Sequence, residues 1–531
     1  MEICMSYQSF AFLLFSAVTL ILYYISGRHG QKWVLAAANL FFFVSAGAKY
    51  LPYLAVTALV TYLGALCIGR VYKKADEKLA AAETQPEKKE IRKKAKSKAK
   101  CFLLLSMLVA VGLLAYCKYA GFFTENLNRV LLHFGVPQIE TFKTVLPIGI
   151  SFYTFMALSY ILDVYWKRYT AEKNPLTYAV YLSYFPHVVQ GPIDRFNEFK
   201  EQIKDGVKLS YRNITFGAQL TLWGFFKKLV IADRLGIVVD KVIAGYADYD
   251  GIIVILALLL YSIQIYADFS GCIDIVSGIS EMFGIKLRRN FNHPYFSRTM
   301  AEFWRRWHIS LQEWFKDYIY YPVSASALTK KVKKFFKKRS MKRAEELFSS
   351  CFPILVVWLI TGIWHGAAWK FVVWGLFHAA LLIGSLVFEP VFKFFTRILH
   401  LDTDNFGWRF IQMARTFLLC CVGRIFFRAD SLAHGTALIK KMVTDTTPAV
   451  LAYFDFTSFG FSWKMIFVLC AALLVLLVGD ILQENISVRE TLAKSNLVFR
   501  WSIMLLGLIA VIIFGVYGPG YDAASFIYEQ F

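Results

Sequence analysis

Long apolar runs separated by short polar interruptions dominate the chain, and their lengths predict helices that cross a lipid bilayer. A crossing needs about 20 mostly apolar residues. Residues 6–26 and 51–72 meet that length, and 32–46 makes a short or tilted crossing between them. Residues 102–119 and 146–165 follow, the second with Pro147 and Gly149 at its start. Residues 122–142 are half polar and are expected to lie at the interface instead of spanning. Further apolar runs at 214–232, 252–269, 351–388, 408–427, 461–482 and 499–517 bring the expectation to about eleven crossings. The fold class is therefore all-α: a single polytopic membrane-embedded domain over 1–531 in which 461–517 adds a C-terminal pair of spans.

Four places depart from the plain pattern. In WLITGIWHGAAWKFVVW, residues 358–374, Thr361, Gly362, His365 and Gly366 stand where an uninterrupted span would carry Leu or Val. An imidazole at membrane depth is costly and marks a functional candidate, and glycine lets another backbone or a ligand approach closely. Two readings stand for His365: it faces a buried cavity at a break in the helix, or it caps a turn and bonds a neighbouring helix. A helix starting near Cys351 would carry His365 about 20 Å along its axis, within a hydrocarbon layer of roughly 30 Å. Residues 301–320 read as one amphipathic helix, with Phe303, Trp304, Trp307, Leu311 and Trp314 on one face. His308 shares that aromatic face, as a cavity residue or as an interfacial histidine beside arginines. Residues 178–199 carry Pro186 and Pro192, which break a helix twice, so this Tyr- and Phe-rich loop is expected at the headgroup level or re-entering the bilayer. After Asp268, FSGCIDIVSGISEMFGI mixes Gly and Ser with Asp274 and Glu281. That mixture fits close helix packing around a polar path, or an interfacial helix with its acids toward water.

Composition agrees with the pattern: of 531 residues 57% are hydrophobic, 17% aromatic and only 18% charged. The net charge of +22 sits largely in two blocks, 73–100 with eleven basic residues against five acids and 330–343 with nine against none. Both are expected in the cytoplasm by the positive-inside rule, which places the N-terminus outside. The first block either extends helices into solvent or is a charge run that only fixes orientation. Neither has room for a base-stacking domain, which argues against nucleic acid as a partner. Nine scattered cysteines without CxxC pairs indicate neither a disulfide framework nor a zinc site. The first apolar run lacks the flanks of a signal peptide and reads as a retained span.

Several of these segments together resemble the membrane-bound O-acyltransferase family, in its alginate O-acetyltransferase branch. They are FPHVVQGPIDRF at Phe185, YADFSGCIDIVSGISEMFGI at Tyr266, NFNHPYFSRTMAEFWRRWHISLQEWFKDYIY at Asn290, GIWHGAAWKFVVWGLFHA at Gly362 and the closing FIYEQF. The resemblance implies a catalytic role for His365 in WHG and a companion role for His308 in RWH. It departs from the family after DYIY, where YYPVSASALTKK replaces the usual Pro-Leu-Gly-Gly turn, and at Glu529 in the tail. GPIDR at Gly191 is also similar to the branch that transfers D-alanine to teichoic acids.

The implied activity is acyl, chiefly acetyl, transfer from a cytoplasmic thioester such as acetyl-coenzyme A toward hydroxyls of a cell-surface or exported polysaccharide, with no bound cofactor or metal. A multi-pass protein of the plasma (inner) membrane and an extracellular partner acetyltransferase are implied with it. Histidine suits the base because its ordinary pKa, about 6.5, lies near working pH. His365 is read as that base, and His308 as orienting the acceptor or donating toward the oxyanion. Asp268, Asn290 and Asn292 are candidate supporting groups. Tyr528 is either a hydroxyl that carries the acyl group or part of an aromatic tail that docks the C-terminus. Two alternatives stay open: D-alanyl transfer to teichoic acid-type polymers, and a transporter or flippase with a path of acids and histidines.

Overall fold

The structure, a computed structural model, describes residues 5–142, 145–400, 402–453, 455–459 and 461–517. Among these there is no strand, only an isolated antiparallel bridge between Phe291 and Trp307. Eight stretches are long and apolar enough to cross a membrane, and two shorter apolar helices, Phe10–Ile25 and Ile150–Tyr165, accompany them. The protein is thus a multi-pass, all-helical membrane protein, and the count of eleven crossings is not confirmed. The chain divides into two compact units, Met1–Ala218 with Val276–Arg288 and Gln219–Ile275 with Arg289–Phe531.

The first unit holds α1 (Phe10–Ile25), α2 (Gly27–Gly47), α3 (Leu51–Ala81), α4 (Gln85–His133), α5 (Ile150–Tyr165), α6 (Pro175–Ser183) and α7 (Phe196–Ile203). The lysine-rich block is helical on both sides of a short turn: α3 runs to Ala81 and α4 starts at Gln85, where the Thr84 hydroxyl accepts from Glu87 N. These are the solvated extensions of the first alternative. Helix α4 runs unbroken to His133, so the first half of 122–142 continues the helix of the preceding apolar run. In the loop after α6, Phe185, His187 and Gln190 are fully buried inside the protein. A tight turn achieves this, since a Cβ on Gly191 would lie 2.3 Å from the His187 Cα. The ring of His187 is held at Nδ1 by Asp194 and at Nε2 by the Tyr181 carbonyl, both at 3.1 Å.

Helices α8 (Tyr211–Phe225) and α10 (Gly251–Met282) have residues in both units, and the second unit holds α9 (Asp233–Ala244), α11 (Met300–Arg306), α12 (Ile309–Phe315), α13 (Tyr321–Ser324), α14 (Ala327–Lys338), α15 (Lys342–His365) and α16 (Trp369–Val387). After them come α17 (Glu389–Ile398), α18 (Phe406–Arg428), α19 (Leu432–Thr444), α20 (Val450–Tyr453), α21 (Trp463–Asn485), α22 (Val488–Lys494) and α23 (Leu497–Phe514). The expected C-terminal pair of spans is α21 and α23. Helix α10 continues unbroken past Asp268, and its Gly271 packs against the backbone of Gly224, where a Cβ would meet the carbonyl at 2.9 Å. Two of its acids are paired: Asp268 lies 2.7 Å from Lys228 Nζ, which also lies 2.9 Å from Asp233 of α9, and Asp274 lies 2.7 Å from Lys227 Nζ. Close packing therefore describes this stretch, and the reading of Asp274 as an interfacial acid turned to water is corrected.

Two further corrections concern the histidines. The single amphipathic helix expected over 301–320 is two short helices with a break at Trp307 and His308 and a π-helical turn over Lys316–Tyr320. Helix α15 begins at Lys342, earlier than Cys351, so His365 ends about 35 Å of helix instead of 20 Å. The first turns carry Lys342, Arg343, Glu345 and Glu346 and lie outside the apolar run. The run of 351–388 becomes a helical hairpin, α15 and α16, joined by the three residues after His365.

Candidate active site

Backbone geometry presents His308. Trp307 is extended and His308 takes left-handed angles, φ 48° and ψ 52°, costly for a residue with a side chain and held only where the surroundings impose it. The imposing partner is the segment 290–292. Asn292 N donates to the Arg306 carbonyl at 2.9 Å, and Ile309 N donates to the Asn290 carbonyl at 3.0 Å. The Asn290 side-chain oxygen accepts from Ser310 N at 3.0 Å. These bonds take up donors and acceptors that a continuous helix would have used internally, which is why α11 stops. Asn290 is 1% exposed, and its amide nitrogen has no hydrogen-bond partner among the described residues.

His308 is itself buried and lies outside the spanning stretches, with its ring edge-on to Phe269 at 4.8 Å. Burial pushes its imidazole down to about 3, so the ring is neutral at ordinary pH. His365 is the last residue of α15, and Gly366 leaves the helix fully extended. The His365 ring is enclosed by Trp364 at 4.9 Å, Trp374 at 4.8 Å and Phe427 at 5.4 Å. Trp364 also contacts His308 at 6.3 Å. The two histidines, 57 residues apart in sequence, therefore meet the same indole. The neutral His308 ring can donate at one nitrogen and accept at the other.

The supporting candidates separate. Asn290 and Asn292 belong to the pairing that fixes the His308 backbone, while Asp268 is bonded to Lys228 and its neighbour Phe269 supplies the ring against His308. Tyr528 lies outside the described residues. No group of three or more His, Cys, Asp or Glu side chains that could hold a metal occurs among the described residues.

Sequence reasoning did not single out His378 or Arg424. His378 is buried against Trp304 and Trp374, both at 4.9 Å, and its position four residues after Trp374 is the signal that puts both on one helix face. Arg424 is buried, donates to the Tyr295 hydroxyl at 2.8 Å and lies 4.9 Å from the Trp307 ring centre. A cavity of about 20 Å³, room for about one water molecule, is lined by Trp374, His378, Arg424 and Phe427 among others.

A family model described as MBOAT, membrane-bound O-acyltransferase family, matches residues 173–337, which include Asn290 and His308. The chain is 32% identical over 439 residues to the probable alginate O-acetylase AlgI of Pseudomonas putida, covering 82% of this chain and 80% of the relative. It is 31% identical over 439 residues to the peptidoglycan O-acetyltransferase of Helicobacter pylori, with 78% and 73% covered. It is 28% identical over 290 residues to the teichoic acid D-alanyltransferase of Bacillus subtilis, with 54% and 70% covered.

Proposed function

Since the chain belongs to the membrane-bound O-acyltransferase family and is an O-acyltransferase, we propose that it moves an acetyl group from a cytoplasmic thioester, most simply acetyl-coenzyme A, to hydroxyls of a cell-surface or exported polysaccharide. Enzyme membership leaves no need for the transporter alternative. The observation that carries the proposal is the convergence of two buried histidine rings, each at a backbone break, on Trp364. Acetyl transfer is preferred to D-alanyl transfer because similarity to the alginate O-acetylase covers 82% of the chain, against 54% for the D-alanyltransferase. The GPIDR segment keeps the second reading in play.

His365 takes the proton of the acceptor hydroxyl as its oxygen attacks the thioester carbonyl. The C–O bond forms, the C–S bond breaks, and the proton passes to the departing thiolate, leaving an ester and a free thiol. His308 orients the acceptor or donates to the developing oxyanion. The donor is large, charged and cytoplasmic and cannot itself cross about 30 Å of hydrocarbon, so the site opens to the cytoplasm for the donor and outward for the acceptor. The membrane is the plasma (inner) membrane, and the outward acceptor is the polysaccharide, an extracellular partner acetyltransferase or a carrier hydroxyl such as Tyr528.

Purified protein in detergent, supplied with acetyl-coenzyme A and followed by thiol release, tests this. His365→Ala is expected to lose about a hundredfold to ten-thousandfold in turnover, and His308→Ala less. Near-normal turnover of well-folded His365→Ala would remove that residue from the base role.

A further inference from the structure

Helix α21 looks at first like a lipid-facing appendage, since only 11% of its most apolar 18-residue window is buried. One stripe departs from this. Ala472 and Leu476 are buried, and the same four-residue spacing continues to Asp480 and Glu484, so the four residues share one face. The apolar half of the stripe packs, and the acidic half bonds to the segments that shape the backbone of His308.

Glu484 Oε1 receives two cationic or donor groups at once: Arg306 Nη1 and, at 3.2 Å, His293 Nδ1. Arg306 is the last residue of α11, and its carbonyl accepts from Asn292 N, so it lies in the backbone pairing itself. Its Nη1 also lies 3.4 Å from the Asn292 carbonyl, and its Nη2 pairs with Glu302 at 3.0 Å. His293 follows Asn292 directly and takes left-handed angles, φ 44°. One turn earlier on α21, Asp480 accepts from the Tyr266 hydroxyl at 2.8 Å, and the Tyr266 ring contacts Phe291 at 6.0 Å and Trp307 at 6.3 Å. The two acids thus grip both sides of the Phe291–Trp307 bridge that turns His308 inward.

We propose that Glu484 is a positioning residue for acyl transfer, acting through Arg306 and His293 on the backbone that presents His308. This rests on the reading of His308 as part of the acyl-transfer site. Charge-assisted bonds are the strong members of such a network, and the Glu484 side chain is 31% exposed, partly withdrawn from water. The C-terminal span then serves as a brace of the site.

The test compares wild type with Glu484→Gln and Glu484→Asp in detergent, measuring kcat and KM for acetyl-coenzyme A, apparent melting temperature, and hydrogen exchange of the 290–310 amides. Glu484→Gln is expected to lower kcat about tenfold to a hundredfold, to leave KM and melting temperature near wild type, and to speed exchange at Ile309 and Ser310. Glu484→Asp should restore much of kcat. Unchanged kcat and unchanged exchange in Glu484→Gln would overturn the proposal. So would a loss of kcat that follows a fall in melting temperature and is not rescued by Asp. An inactive wild type would defeat the acyl-transfer reading instead, and the exchange rates would still decide whether Glu484 holds the His308 backbone.

Discussion

At the scale of single residues, the neutral state of His308 has a consequence for stability. Its pKa in the folded protein, about 3, lies below the ordinary value near 6.5. Between those values the unfolded chain binds a proton that the folded protein does not. Stability from this residue is therefore complete above about pH 6.5 and is lost as pH falls toward 3. The apparent melting temperature of wild type is expected to drop between pH 7 and pH 5 by more than that of His308→Phe. Equal drops would show that His308 is not held neutral by burial. His365 and His308 were both legible as candidates from the sequence, because polar rings are conspicuous among aromatic and aliphatic neighbours. Their shared contact with Trp364 was not legible, since it depends on the break after Trp307 and on where α15 ends.

At the scale of elements, the hairpin of α15 and α16 is set by two glycines. A Cβ on Gly375 would lie 2.4 Å from the Trp358 carbonyl and 3.1 Å from the Gly362 Cα. Contacts this close admit no methyl group without movement of the helices. Gly375→Ala is expected to destabilise the protein by about 1–3 kcal/mol through overpacking and to lower turnover, because the adjacent Trp374 is displaced from His365. Gly384→Ala, in the same helix with open space around it, is the control and should be neutral or slightly stabilising. Thermal unfolding and thiol release measured on both variants check this, and equal behaviour of the two would discount the close crossing as a determinant of the site.

For the whole molecule, orientation follows from charge. The basic residues at the meeting of α3 and α4 and those of α14 are expected in the cytoplasm by the positive-inside rule. A single Cys introduced at Ser97 in a background without native cysteines should resist an impermeant thiol reagent in intact cells and react after lysis. Labelling in intact cells would invert the topology and, with it, the side from which the donor enters.

From the order of amino acids it was legible that this is an all-helical membrane protein, roughly where its helices run, and which two histidines interrupt its apolar pattern. These properties are local: the length of an apolar run and the cost of a polar ring within it are set by neighbouring residues and the surrounding lipid. Tertiary structure alone decided that 301–320 is broken at His308, because the broken form is stabilised by bonds to Asn290 and Asn292, which no periodicity within 301–320 can register. It likewise decided that Asp268 is bonded to Lys228 and that the end of α21 bonds to Arg306 and His293. Each of these pairs groups distant in the chain that only folding brings together, and for the buried Asp268 and Lys228 the pairing makes burial tolerable.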